Sequence, residues 1–391
     1  MTHKFIPYGK QSIDQDDIQA VIDTLRSDFL TTGPKITEFE QKFADYIGCK
    51  YALSLTSGTA ALHAACFASG IQSGDEVITT PITFAATSNS ILYVGAKPVF
   101  ADIDPNTYNL NPLEVEKRIT SQTKAIIAVD YTGQPAQLFE LRKIAKQHHL
   151  VLIEDAAHSL GSKIKDKQYR WHMIGTISDL TTFSFHPVKH ITTAEGGMVC
   201  TNDDNLYDKL LLFKTHGITK DPKGFHNSQE GNWYYEQHLL GYNYRMSDLQ
   251  AALGISQLSK LNHFIKRRHE IASRYNQAFS QNQWKEKLTI PYQAKNTRSS
   301  FHIYVIKLNL SKIGRSRKDL FDTLRKFNIG VNVHYIPVYY HPYYQKLGYR
   351  KGICPIAENF YEEIITLPIH PSMTDEDVEY IIKSVKYAIN N

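Results

Sequence analysis

The chain has 391 residues, 42% hydrophobic and 21% charged, the composition of an ordinary water-soluble globular protein, and its length suggests two domains rather than one core. Basic residues exceed acidic ones by only five, 44 against 39, and they are dispersed, with the densest cluster (Lys266-Arg267-Arg268-His269) inside a helical pattern, so no nucleic-acid partner is expected. Cys49, Cys66, Cys200 and Cys354 show no metal or disulfide spacing, no apolar run approaches membrane-spanning length, and Met1 to Pro7 lacks a signal-peptide core, so a cytoplasmic protein with no metal and no membrane partner is expected.

The first twelve residues read as an extended arm. Ser12-Ile13-Asp14 then opens a helix with Ile18, Val21, Ile22 and Leu25 at helical spacing. Thr31-Thr32-Gly33-Pro34 breaks it, and Thr37, with Glu40 three residues on, reads as the N-cap of the next. Short apolar runs over 51–55, 76–80, 98–101, 125–129, 151–154, 180–184 and 197–201 read as strands. Helical patterns over 57–69, 84–94, 112–118 and 138–149 alternate with them. That alternation predicts an α/β fold, a seven-stranded mainly parallel sheet sandwiched by helices. A Gly- and aromatic-rich loop covers 215–242, too long to be a plain connection. Ser247 and Gln250 form a capping box for a connecting helix carrying Leu249, Leu253, Leu258, Leu261, Ile271 and Tyr275. The expected organisation is an arm (1–12), a large domain (13–250), and a connecting helix with a smaller C-terminal α/β domain (251–391).

Lys189 follows the strand run Thr181 to Phe185 and the breaker Pro187, and Glu195-Gly196-Gly197 leads into the next strand. Taken alone, a loop lysine is most often a solvated surface residue. Held between two strands it can be buried, and burial lowers its pKa and suits it as a nucleophile toward an aldehyde. Ligands of such sheets sit at the carboxyl ends of the strands. Ser57-Gly58-Thr59 puts a small turn at a helix start there, either a plain N-cap or a phosphate site. Asp155, in Glu154-Asp155-Ala156-Ala157-His158, could hold a ribose hydroxyl, a metal or a protonated ring nitrogen. No G-x-G-x-x-G follows the first strand, and only His158 is near as a further ligand. The ring-nitrogen reading needs a lysine at the same sheet edge, and Lys189 supplies it.

Thr56-Ser57-Gly58-Thr59, Glu154 to His158, and Ser184-Phe185-His186-Pro187-Val188-Lys189 with Glu195-Gly196-Gly197 resemble the aminotransferases of nucleotide-linked keto-sugars. These are fold-type I enzymes that use pyridoxal 5′-phosphate (PLP), and the likeness runs from Ile6 to His370. The resemblance implies that Lys189 forms the Schiff base with PLP, that Asp155 pairs with the pyridine nitrogen, and that His158 lies beside the ring. It implies that Phe84 stacks on the ring and that Gly58, Thr59 and Ser184 cradle the phosphate. Asn243 would reach the cofactor of a neighbouring protomer in a homodimer with shared sites. Family members often carry Gly where this chain has Ala194, a change read as adding only a methyl.

Within the family, Ile6 to Ile13, Leu30 to Pro34 and the 302–344 region resemble the branch that aminates C4 of a UDP-linked 4-keto-6-deoxy-N-acetylhexosamine on the pseudaminic acid route. L-Glutamate is the family's usual donor. The bacillosamine branch is the nearest alternative. Related sugar dehydratases replace the lysine with histidine, and a cofactor-free regulatory protein would dispense with Lys189 or Asp155. Tyr8, Lys10, His334 and Tyr335 are the candidate substrate contacts. For the aromatic run 333–344, domain packing and a pocket wall stay equally open. Lys214, Lys220, Lys223 and Arg245 join Lys10 as candidate cations for the diphosphate.

Overall fold

The computed structural model describes residues 4–227 and 231–391; residues 1–3 of the arm and 228–230 of the long loop lie outside them. The main sheet has seven strands: β1 (Tyr51–Leu55), β2 (Glu76–Thr79), β3 (Lys97–Phe100), β4 (Thr123–Val129), β5 (Val151–Asp155), β6 (Leu180–Ser184) and β7 (Gly197–Thr201). They lie in the order β3-β2-β4-β5-β6-β7-β1. Only β7 runs antiparallel to its neighbours. The central strands are apolar at consecutive positions because both faces are covered. In β4, Ile126 and Ala128 face the core under helices Pro34–Ile47 and Leu138–Gln147. Ala125 and Ile127 face the opposite core, with helices Gly58–Ala68 and Asp204–Lys214.

Two helix readings need correction. The second helix starts at Pro34, not at Thr37. The cap comes from far along the chain: the Asp248 carboxylate accepts the N–H groups of Gly33 (2.7 Å) and Lys35 (2.8 Å), and Pro34 suits the first helical position. Glu40 instead accepts hydrogen bonds from the Ser54 N–H and hydroxyl. In the first helix, Gln15–Leu25, Ile18 and Leu25 are exposed while Asp17 and Thr24 are buried. Asp17 anchors that face, pairing with Lys260 at 3.0 Å and accepting from Gln257 Nε2 at 2.7 Å, which leaves Ile18 and Leu25 outside while Val21 and Ile22 are half-buried.

The connecting helix runs Asp248–Phe279 and opens on the expected Ser247–Gln250 capping box. Its first half packs Leu258, Leu261 and Phe264 against the main sheet. Its second half packs Ile271, Tyr275 and Phe279 against a C-terminal core. That core holds an antiparallel sheet of β8 (Leu288–Thr289), β9 (Tyr304–Leu308) and β10 (Ile364–Leu367), with helices Arg317–Lys326 and Asp375–Asn390. The N-terminal arm docks there, through the Ile6 N–H on the Asn328 carbonyl (2.9 Å). A hairpin of Lys163–Lys165 and Trp171–Met173 was not foreseen. Within the long loop, Ile218–Thr219 pairs with Glu236–Gln237. Among the described residues no helix is long and apolar enough to cross a membrane.

Candidate active site

The carboxyl ends of β1, β4, β5 and β6 meet at a cavity of about 550 Å³, the place where open α/β sheets bind ligands. At one side Ser57 caps helix Gly58–Ala68, its hydroxyl accepting the Ala60 N–H at 3.1 Å. The first N–H groups of a helix lack intrahelical partners, so the Gly58–Thr59 backbone offers an anion site. The approach of chains here is close. A Cβ on Gly58 would sit 2.8 Å from the Ser184 Cβ, and one on Gly197 would sit 2.3 Å from the Ser57 carbonyl oxygen. Glycine at both positions lets the β1 turn, the end of β6 and the start of β7 interlock.

Asp155 is the last residue of β5 and is 5% exposed. Thr87 donates to its Oδ2 at 2.7 Å and the Ala157 N–H to its Oδ1 at 3.2 Å. Burial pushes its pKa up, while Thr87, Ala157 and the charge of Lys189 oppose that. A cation at this carboxylate would restore its ionised form. Lys189 sits half-buried in the turn after β6, its N–H donating to the His186 carbonyl. Burial pushes its ammonium down to about 8, against the pull of Asp155.

The opposite wall comes from the segment 332–335. His334 Nδ1 shares a 2.9 Å hydrogen bond with Thr366 Oγ1 on β10, and Tyr131 donates its hydroxyl proton to the His334 carbonyl. Burial and then the Lys189 charge hold the His334 imidazolium down to about 3. The Tyr335 hydroxyl shares a 3.0 Å hydrogen bond with His158 Nε2. The His158 Nδ1 is buried without a partner among the described residues, and burial keeps the ring neutral. The cavity thus holds a weakened ammonium, a buried carboxylate, an anion-ready helix start and the hydrogen-bonded Tyr335–His158 pair.

Residues 11–386 match the DegT/DnrJ/EryC1/StrS aminotransferase family. The chain belongs to this family. It is similar to the spore coat polysaccharide biosynthesis protein SpsC of Bacillus subtilis, 43% identical over 98% of this chain and 96% of that one. It is also similar to the UDP-4-amino-4,6-dideoxy-N-acetyl-beta-L-altrosamine transaminase of Campylobacter jejuni (strain 81-176), 40% identical over 96% and 95%. Among solved structures, Helicobacter pylori PseC, an aminotransferase of pseudaminic acid biosynthesis, superposes with a TM-score of 0.89 at 34% identity, covering 99% of each chain. The PLP form of the sugar aminotransferase Spr1654 from Streptococcus pneumoniae gives 0.89 at 31% identity over 98% of each. The fold is that of fold-type I aminotransferases, and the chain is a PLP-dependent sugar aminotransferase.

In this aminotransferase the cavity brings together Tyr8, Gly58, Thr59, Phe84, Asp155, His158, Ser184, Lys189, His334 and Tyr335. Phe84 is 63% exposed with its ring on the cavity, 6.4 Å from that of Tyr335. Tyr8 sets its ring 5.1 Å from that of His334, tilted by 57°. Lys10 and Asn243 are exposed and do not line the cavity. Lys214 is excluded as a diphosphate contact: it is buried in an ion pair with Glu40 at 2.9 Å. Lys220, Lys223 and Arg245 also lie off the cavity wall.

The aromatic run serves both purposes, split by position. His334 and Tyr335 line the cavity, whereas Tyr339 and Tyr344 are buried against Phe100, at 5.3 and 6.1 Å, with Tyr339 donating to Glu358 at 2.7 Å. Sequence reasoning missed Thr87, Asn332 and Thr366. Thr83 and Thr87 were readable as a pair, four apart on one face of a helix start, and their hydroxyls share a 2.7 Å hydrogen bond. Asn332 and Thr366 act only through the fold, 34 residues apart in sequence (366 minus 332) but paired backbone to backbone.

Proposed function

We propose that the enzyme transfers the amino group of L-glutamate to C4 of a UDP-linked 4-keto-6-deoxy-N-acetylhexosamine, as on the route to pseudaminic acid. The observation that carries the assignment of roles is the convergence of Lys189, Asp155 and the Gly58–Thr59 helix start on one cavity. The donor set fits PLP. The free N–H groups at Gly58 and Thr59, with the Ser184 hydroxyl, take its phosphate. Asp155 would take its protonated ring nitrogen, a cation that would offset the burial that raises the carboxyl pKa. Phe84 would cover one ring face, and His158 would lie beside the ring.

PLP supplies an aldehyde and a ring that draws electrons from the substrate carbon. Lys189 supplies the nucleophilic amine, and its Nζ would then carry the proton from the donor carbon to the cofactor carbon. Its depressed pKa keeps a share of that amine neutral near physiological pH. Asp155 holds the ring-nitrogen proton in place throughout. Tyr8, His334 and Tyr335, apolar on their faces and polar at their tips, wall the sugar.

The acceptor rests on the likeness to the altrosamine transaminases; the SpsC likeness supports a second reading, a different nucleotide sugar, and the bacillosamine branch is a third. A coupled assay with glutamate and each UDP-4-keto-6-deoxy sugar, followed by NMR of the product at C4 and C5, decides among them. Turnover with neither sugar sinks the acceptor assignment. We further propose a cytoplasmic homodimer with Asn243 in the partner's site. The exposed position of Asn243 and the outward apolar side chains of Ile18, Leu25, Phe29 and Leu30 support it. Mixed Lys189→Ala and Asn243→Ala protomers should regain activity; failure in protein shown to have exchanged subunits places Asn243 elsewhere.

A further inference from the structure

The long loop carries a cluster that the aminotransferase chemistry does not use. His226 follows the turn Pro222–Gly224, Glu236 opens the returning strand of the short hairpin, and His238 lies two residues on. The hairpin pairing of Ile218–Thr219 with Glu236–Gln237 is what gathers them. One ligand atom from each of the three side chains lies within 4.8 Å of the other two. No sequence spacing announces this group, since His226 and Glu236 meet only through the loop's return.

We propose that His226, Glu236 and His238 form a site for a divalent transition-metal ion of the zinc class. Two imidazoles and one carboxylate are a donor set that suits Zn²⁺, leaving a fourth position for water. The carboxylate is already fixed in place, as outer partners fix metal ligands. Its Oε1 accepts the Asn227 N–H (2.8 Å) and the Tyr234 hydroxyl (3.0 Å), and its Oε2 accepts the His226 N–H at 2.7 Å. The second lone pair of Oε2 meets His238 Nε2 at 2.7 Å, the contact into which an ion would insert.

His226 is exposed and its ring stacks on His238 at 4.4 Å, 10° from parallel. Two in-plane nitrogen lone pairs on stacked rings do not converge, so ligation requires the His226 ring to turn about its side-chain torsions. Its exposure leaves that rotation free. Donors of a tetrahedral zinc with bonds of about 2.1 Å stand roughly 3.4 Å apart, a closure of about 1.4 Å at most from the present spacing. The competing account is that Glu236 merely pins the loop. The two accounts differ in what they ask of the imidazoles: a pin needs only the carboxylate, an ion needs both rings.

The test is titration of Zn²⁺ into chelator-treated, PLP-loaded protein, followed by calorimetry and by metal content after gel filtration. The expected result is one ion per chain, with affinity falling at least about tenfold in His226→Ala and in His238→Gln, since even an outer partner is worth that much. His238→Gln keeps a donor for Glu236 and so leaves the loop pinned. His148→Ala/His149→Ala, which removes two exposed imidazoles elsewhere, should bind as the parent does. Zinc uptake that is unsaturable, or unchanged in the His226→Ala/His238→Gln double variant, overturns the proposal.

Discussion

The floor of the cavity is made of strand ends and one helix start, whereas its roof is an irregular segment, 332–335, tied to β10 by one backbone bridge at Asn332 and by the His334 side chain. On the floor, backbone fixes position: Gly58 and Gly197 allow no Cβ, and Asp155 and Ser184 close adjacent parallel strands. On the roof, beyond the Asn332–Thr366 backbone bridge, side chains fix position: His334 is held by Thr366, Tyr131 and Asn332, and Tyr335 by His158. Chemistry on the floor can therefore be removed without moving the frame. A roof residue both touches the ligand space and carries the wall, so its removal mixes the two effects.

Lys189 gives the sharpest break. Lys189→Ala should lose the yellow absorbance of the PLP-loaded protein and lower turnover by at least about 10⁴-fold, the upper range for a positioned acid–base group. Its melting temperature should stay close to the parent's, because the frame does not use that side chain. Lys189→Arg should fail equally, since a guanidinium does not give up its proton. Cofactor uptake adds a pH signature. With the amine held down to about 8, the rate at which cofactor-free protein takes up PLP should rise with pH through about 8, not through 10.5. The unfolded chain then holds the extra proton between those two values, so cofactor-free protein should also gain stability as pH rises across them. A midpoint near 10.5 would mean that Lys189 is solvated.

Asp155→Asn ranks next. The amide keeps the shape and can accept from Thr87, but it lacks the charge that holds a ring-nitrogen proton. We expect kcat and kcat/KM to fall together, by about 10²–10³-fold, with PLP still bound. Stopped-flow of the glutamate half-reaction is the measurement; a parent-like rate would require another carboxylate in that place.

The same contrast explains what could be read from the sequence. All seven strands of the main sheet and the residues at their ends were legible, because apolar runs alternating with helices fix a parallel sheet, and a parallel sheet fixes where its ligands bind. The roof was legible only as a list of candidates. Nothing local distinguishes Tyr335, on the cavity, from Tyr339, in the core, four residues away in one aromatic run. The long-range caps escaped for the same reason. Thr37 is a sound local N-cap, yet the helix is capped at Gly33, four residues earlier, with Asp248 holding its start, and Asp17 takes the inner face by pairing with Lys260, leaving Ile18 and Leu25 outside.

A third break tests the roof. His334→Ala removes a ring that lines the cavity and packs at an angle against Tyr8 and Tyr335. The sugar half-reaction should weaken by roughly tenfold, as for one lost contact of 1–2 kcal/mol, and the glutamate half should change less. A lower melting temperature should accompany it, since Thr366 Oγ1 loses its buried partner. Equal damage to both halves would mean that the ring only supports the wall.

The smallest effect is expected at Ala194, on the floor side, in the turn that carries the chain from Lys189 to β7. The Gly that family members often carry here differs by more than a methyl in consequence: Ala194 has φ +64°, in the left-handed region, where a Cβ crowds the following carbonyl. The turn leaves the backbone little choice. The Ala194 N–H donates to Thr192 Oγ1 at 3.0 Å, and the Glu195 carbonyl accepts from Thr193 Oγ1 and Gln250 Nε2. The conformation costs a non-glycine residue roughly 1–2 kcal/mol. Glycine would remove that cost but loosen the unfolded chain, which takes back about 0.4–1 kcal/mol. Ala194→Gly should therefore raise the melting temperature by no more than about 2 °C, with turnover unchanged, because the position is exposed and off the cavity wall. A lowered melting temperature would show that the loosened unfolded chain outweighs the strain relieved, and that the floor tolerates a Cβ here as it does not at Gly58 or Gly197.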